Sequence, residues 1–260
     1  MSTHGVAGLR AAWTFLTRVP LGAGPPDAGA DTMAFAPAWF AVIGACIGAI
    51  VGGVYCASYE LVGPSVGAAL AVTAGALLTG AFHQDGLADV SDAFGGGWTV
   101  DQRLEILKDS RHGTYGVMSL VCVIAVQISA LAQHDRPQGF AIAVTAHAGA
   151  RGGAVVLMRF APRARGAGLG VDYARGLTNA TALASALSAV VIGALVLGAL
   201  VSVTTAAVAV MIALMALLAW RKVGGITGDV LGAAEQLAET AVLVCGAAFA
   251  RHVDAWPWWR

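Results

Sequence analysis

The sequence predicts an all-α, polytopic integral membrane helix bundle: about seven transmembrane helices and one further N-terminal helix lying at the membrane surface. Three observations carry this. Hydrophobic residues make up 58% of the 260-residue chain and charged residues only 12%, with a mean hydropathy of +0.74, whereas soluble domains carry roughly 25% charged residues. Charge-free runs are long: 32–59, 61–84 and 176–220 contain no Asp, Glu, Lys or Arg. The basic residues gather in alternate loops, as they do around membrane spans.

The run 176–220 would reach roughly 67 Å as one helix, about twice a hydrocarbon core of ~30 Å. It is therefore read as two spans joined by a tight turn. The expected spans are 36–59, 65–82, 114–133, 139–159, 180–200, 203–220 and 230–250. The 34 glycines suit close helix–helix approach in lipid. Segment 6–19 is too short to cross and is expected to be interfacial or re-entrant. No signal peptide is expected, because Arg10 and Arg18 interrupt the segment before Asp27 and Pro20 breaks it. Cys46, Cys56, Cys122 and Cys245 lie in apolar runs without a C-x-x-C pair, as small packing residues. No repeat or soluble module interrupts the chain, so 1–260 is read as one membrane-embedded domain.

With seven spans, one side receives the N-terminus and loops 83–113, 160–179 and 221–229. That side holds Arg10, Arg18, Arg103, Lys108, Arg111, Arg159, Arg163, Arg165, Arg175, Arg221 and Lys222. The other side holds Arg136, Arg251 and Arg260, so the first is expected to be cytoplasmic. Trp256, Trp258 and Trp259 are expected to anchor the far interface. The chain carries 15 basic and 15 acidic residues, which gives no electrostatic case for a nucleic-acid partner.

Acidic residues concentrate between 85 and 109. Asp85, Asp89 and Asp92 in H-Q-D-G-L-A-D-V-S-D fall within a ~60° sector if the second span continues as a helix past the membrane surface. Three carboxylates that close repel one another, and a divalent cation removes the penalty. Oxygen-only ligands point to a hard cation, Mg²⁺ first. A solvated acidic helix face is the alternative. Asp101, Glu105 and Asp109 follow at i, i+4, i+8, surrounded by Arg103, Lys108 and Arg111. A salt-bridged surface helix fits that pattern as well. If Gly95–Gly97 turn the chain back, the two acidic faces confront each other, with cations at hand for a pyrophosphate.

A third constellation is G-G-I-T-G-D-V-L-G-A-A-E-Q-L-A-E at 224–239. Glu235 and Glu239 lie roughly 9 and 15 Å deeper than Asp229 along one helix. Ionisable groups at that depth face a bundle interior or an aqueous cavity, and Arg151 is their natural counter-charge. His83 stands two residues before Asp85, as a candidate base or phosphate donor. His4, His134 and His252 are read as surface residues; His147 is ambiguous.

Three blocks, G-A-F-H-Q-D-G-L-A-D-V-S-D-A-F, R-L-E-I-L-K-D-S-R-H-G-T-Y-G and G-G-I-T-G-D-V-L-G-A-A-E-Q-L-A-E, resemble in matching order the signature blocks of the bacterial cobalamin synthase family, adenosylcobinamide-GDP ribazoletransferase. F-L-T-R-V-P near the N-terminus and A-R-G-G-A around Arg151 resemble family segments too. Gln84 and Ala93 depart from the residues common there, Leu and Gly, without replacing an acid. The resemblance implies a Mg²⁺-dependent enzyme of the bacterial cytoplasmic (inner) membrane, with its active site facing the cytoplasm. Its substrates would be adenosylcobinamide-GDP and α-ribazole or its 5′-phosphate, and its products adenosylcobalamin or its 5′-phosphate and GMP. On this reading Asp85, Asp89 and Asp92 hold the metal, and Glu105 and Asp109 complete its shell. One of those two, or His83, takes the hydroxyl proton. Lys108, Ser110, Arg111 and Arg151, with Asp229, Glu235 and Glu239, bind substrate. Homo-oligomerisation is left open.

Two rivals remain at this level. A CDP-alcohol phosphotransferase would need D-x-x-D-G-x-x-A-R, but Phe82 stands in place of its leading Asp and the Arg is missing. A cation-coupled transporter would place its ion site near the midplane, where only Arg151, Glu235 and Glu239 are expected.

Overall fold

The computed structural model describes residues 3–21, 30–109, 111–165 and 176–250. The C-terminal tryptophans, Ser110, Arg175, Arg251 and Arg260 lie outside these, as does the side chain of His4. Helices dominate: α1 (Thr3–Leu16), α2 (Ala30–Phe35), α3 (Phe40–Thr79), α4 (Phe82–Gly96), α5 (Val100–Ile106), α6 (Thr114–Leu131), α7 (Arg136–Phe160), α8 (Asn179–Leu197), α9 (Val201–Val223) and α10 (Gly228–Ala250). A 3₁₀ turn at Ala36–Trp39 leads into α3. Among the described residues no strand forms; one isolated bridge joins Arg163 to Ile226.

Five segments are long and apolar enough to cross a bilayer. Two of them, 32–79 and 179–223, are too long for one crossing, and each is interrupted where a glycine permits it. Gly63 adopts φ 82, ψ 166, and Pro64 follows without an N–H to donate. A Cβ on Gly75 would touch Val51, and one on Gly67 would touch Ser58, so the second half of α3 runs back along the first. Gly198, at φ 63, ψ −134, separates α8 from α9. That break falls at 198–200, slightly before the turn expected at 201–202. Glycines of α7 report the return: Gly152 meets Ser185 and Ala189 of α8, and Gly153 meets Val208 and Ile212 of α9.

One expectation fails in its detail. The second half of α3 does not continue past the membrane surface into the acidic block. It ends at Gly80 (φ 69), Ala81 is also left-handed (φ 56), and α4 starts afresh at Phe82. The turn is held from outside, with Arg18 N–H donating to Leu78 O at 2.8 Å and the Arg18 side chain against Gly80. Thus α1, the expected surface helix, is stitched to the end of α3.

Helices α7 and α10 form the buried centre. Lipid supplies no hydrophobic drive between helices, so close packing must. Gly44, Gly48 and Gly52 present a bare stripe to α7. A Cβ on Gly48 would lie 2.5 Å from Ala143 O, and one on Gly44 would meet His147 O. On the other side α10 runs antiparallel to α4, Gly232 against His83 and Asp229 against Gly86. Outward faces carry Leu61, Leu77, Val121, Leu183, Leu195 and Leu214, all exposed, as lipid contact requires. Cys46 and Cys122 are also exposed rather than packed inside, and the four cysteines are unpaired. His134, expected at the surface, is 1% exposed. Its carbonyl accepts from Tyr55 Oη at 2.7 Å, and its ring nitrogen Nδ1 lies 3.2 Å from Leu131 O.

Candidate active site

The site is assembled on α4, α7 and α10. Asp85 and Asp89 are one turn apart on α4, and His112 reaches between them from the loop before α6. Nε2 of His112 lies 3.6 Å from Asp85 Oδ1, and Nδ1 lies 3.6 Å from Asp89 Oδ1. One ligand atom from each of the three lies within 4.8 Å of the others. Asp229 approaches from α10. Its backbone would be 2.8 Å from a Cβ on Gly86, so only glycine there lets α10 in this close. Thr227 Oγ1 donates to Asp229 Oδ2 at 3.3 Å. The carboxyl of Asp89 is pushed up to about 6, first by burial and then by the charges of Asp85 and Asp229. Two carboxylates that repel one another in this way, with an imidazole nitrogen 3.6 Å from each, fit a divalent cation. The oxygen-only ligand set expected from the sequence is not what the fold assembles.

Asp92 does something else. Oδ2 accepts from Gly113 N–H at 2.6 Å and Oδ1 from Gly116 N–H at 2.9 Å. It therefore caps the first turn of α6, where N–H groups otherwise lack partners. Asp92 shares the helix with Asp85 and Asp89 but is not among the groups clustered around His112.

Glu105 and Asp109 are not brought to this cluster either. Helix α5 starts with a capping box between Thr99 and Gln102 and ends at Ile106, so Asp109 lies beyond it. Arg103 clamps the loop by donating to Gly97 O, Trp98 O and Lys222 O at 3.0–3.1 Å. Glu105 and Asp109 consequently line a separate shallow depression with Trp98. Asp109 pairs with Arg111 at 2.6 Å, and these hydrogen bonds hold its carboxyl down at about 2. Lys108 of the same segment borders both this depression and a second cavity, and Leu104 and Leu107 turn the other way, toward that cavity.

That cavity has a volume of about 490 Å³, within the ~300–1,000 Å³ usual for small-molecule sites. Asp85, Asp229, His83 and Arg151 line it, with Lys108, Arg163 and Arg165 as further cations. The 161–165 segment is pinned beside α10 by backbone bonds, Ile226 N–H to Pro162 O at 2.8 Å and Ala164 N–H to Ile226 O at 3.0 Å.

Below the cavity the third constellation closes on itself. His147 and Arg151 are one turn apart on α7, and Glu235 and Glu239 one turn apart on α10. Arg151 Nη1 lies 2.6 Å from Glu235 Oε1 and 3.5 Å from Glu239 Oε2, while His147 Nδ1 lies 2.7 Å from Glu239 Oε2. His83 Nδ1 is 3.6 Å from Glu235 Oε2. Gln236 donates to Glu235 at 2.9 Å and is itself held by Gln127 at 3.2 Å. All of these side chains are buried. Arg151 thus forms part of the cavity wall, and Glu235 and Glu239 act on it from behind.

Sequence reasoning overlooked His112, Gln127 and Gln236, and left His147 undecided. The i,i+4 spacing of His147 and Arg151, matching Glu235 and Glu239, was a usable signal. His112 carried none, because its place depends on a loop closing over α4.

A family model described as cobalamin-5-phosphate synthase matches residues 8–247. The chain is 40% identical over 250 residues to the adenosylcobinamide-GDP ribazoletransferase of Bradyrhizobium diazoefficiens, covering 94% of each chain. It is 36% identical to the protein of that name from Ralstonia nicotianae, covering 88% of this chain and 90% of the relative. To the one from Vibrio cholerae it is 34% identical, with 92% of each covered. No solved structure matches. These matches do not favour a CDP-alcohol phosphotransferase or a transporter. The chain, matched over nearly its whole length, belongs to the cobalamin-5-phosphate synthase family.

Proposed function

We propose that this protein transfers the adenosylcobinamide phosphate of adenosylcobinamide-GDP to the 3′-hydroxyl of α-ribazole or α-ribazole 5′-phosphate, releasing GMP. The observation that carries the reading is the single cavity lined by Asp85, Asp229, Lys108, Arg151, Arg163 and Arg165. Carboxylates able to hold a cation and side chains able to hold phosphates converge on one volume there. Family membership supports the same reaction, one step late in cobalamin assembly.

The hydroxyl oxygen attacks the phosphorus nearer the cobinamide, and the bond from that phosphorus to the bridging oxygen breaks. GMP leaves with the bridging oxygen. Lys108, Arg163 and Arg165 pair with phosphoryl oxygens, and Arg151, fixed by Glu235 and Glu239, presents its guanidinium from the cavity wall. His83 lines the same cavity. Its Nδ1 faces Glu235, which leaves Nε2 to receive the hydroxyl proton. Mg²⁺ held by Asp85 and Asp89 beside His112, with Asp229 close by, would neutralise charge on the phosphoryl oxygens.

The basic loops 83–113, 160–165 and 221–227 surround this cavity, which supports seven crossings with the site on the cytoplasmic face of the inner membrane. Purified protein should release GMP from adenosylcobinamide-GDP only when α-ribazole or its phosphate and Mg²⁺ are both present. Release without acceptor, or undiminished release in EDTA, would overturn the reading. A reporter fused after residue 98 should be active on the cytoplasmic side only.

A further inference from the structure

One wall of the cavity has no part in the chemistry above. Phe15 of α1, Phe40 at the start of α3 and Phe82 at the start of α4 come together there. Phe15 stacks on Phe40 with centroids 5.6 Å apart, and meets Phe82 edge-on at 5.3 Å. Leu16 and Met158 add apolar surface to the same cavity. Phe40 is almost fully buried, but Phe82 keeps 37% of its surface exposed, so that ring has a face to offer. The His83 ring follows directly, 4.9 Å from the Phe82 centroid.

We propose that Phe15, Phe40 and Phe82 seat the flat aromatic base of the acceptor riboside, an inference that rests on the transferase reading. The α-ribazole base is a fused bicyclic ring without an N–H once it is glycosylated. Its polar edge is a single acceptor nitrogen, which can stay turned to the cavity's water while the carbocyclic ring enters the apolar wall, so it loses less than a base with several edge groups. Guanine, the other base in the reaction, carries N–H donors and a carbonyl on its edge. Each would lose its water there at a cost of about 1–3 kcal/mol. With the base against Phe82, the attached sugar lies beside His83 and its hydroxyls face the carboxylate end. The seat draws on three elements, which gives α1 a role in acceptor binding beyond resting on the membrane.

Equilibrium dialysis of the full-length protein in detergent tests this with α-ribazole and GDP as separate probes. Phe15→Ala and Phe82→Ala should each weaken α-ribazole binding about tenfold and leave GDP binding unchanged, which also reports an intact fold. Phe82→Tyr should restore α-ribazole affinity. Wild-type affinity for α-ribazole in both alanine variants would overturn the seat. So would a loss of GDP affinity as large as the loss for α-ribazole. Phe-dependent α-ribazole binding in a protein that releases no GMP would overturn the transferase reading and leave the seat standing. GMP release with unaltered acceptor affinity in the variants would do the reverse.

Discussion

The Arg151 guanidinium lies 2.6 Å from Glu235, with 2% and 0% of the two side chains exposed. Breaking a buried pair on one side costs about 3–5 kcal/mol where the charge is left uncompensated, and losing Glu235 would leave Arg151 only the more distant Glu239, at 3.5 Å. Glu235→Ala should therefore lower the melting temperature in detergent steeply and abolish GMP release. Arg151→Met combined with Glu235→Leu removes both charges. That double variant should regain much of the stability and still lack activity, because the cavity has lost its cation. A double variant that recovers turnover would limit the pair to a structural role.

The acidic residues of α4 should separate by kinetics. Asp85→Asn and Asp89→Asn are expected to lower GMP release by about 10²-fold or more, as loss of a charge-stabilising group does. Asp92→Asn instead turns one of the two cap acceptors into an N–H donor and keeps the other. It should cost about 1–3 kcal/mol of stability, as one N–H loses its acceptor, and retain Mg²⁺-dependent turnover with an unchanged half-saturating Mg²⁺ concentration. Equal losses in Asp89→Asn and Asp92→Asn at unchanged stability would make Asp92 a ligand.

The position of Asp89, near 6 in the fold, sets a pH window. Its unfolded value is about 3.9, so the fold disfavours the ionised form. That penalty is absent below about pH 4, grows up to about pH 6 and is constant above it. The metal-free protein should therefore lose stability as pH rises across this interval. On the proposed metal assignment Mg²⁺ takes the ionised form, so stabilisation by Mg²⁺ should be large at pH 7.5 and fade below pH 6. Equal Mg²⁺-induced shifts in melting temperature at pH 5 and 7.5 would contradict the assignment.

Packing of α3 on α7 should tolerate no side chain at Gly48. A Cβ there would meet backbone, Ala143 O at 2.5 Å, and backbone of a central helix does not yield cheaply. Gly48→Ala is expected to cost about 1–3 kcal/mol, and Gly48→Leu to prevent recovery of folded protein. Gly53, on the same helix with open space around it, should accept Ala without measurable change in melting temperature.

Hydropathy by itself determined the class of fold and the apolar spans, because runs of that length have few alternatives in lipid, but not α4 or α5, which lie outside those runs, nor the short α2. The i,i+4 pairs on α7 and α10 were likewise legible, since a helical period fixes which side chains share a face. What it could not determine was how separate helices meet. Asp85, Asp89 and Asp92 have equivalent spacing along α4, yet His112 joins the first two and the head of α6 takes the third. Likewise Glu105 and Asp109 look as fit for a metal as Asp229, but the Arg103 clamp turns them away while Gly86 admits Asp229. Local periodicity sets the direction of a side chain relative to its own helix. Only tertiary contacts, formed by close approach at glycines and by caps between distant segments, decide which of those directions converge on one cavity.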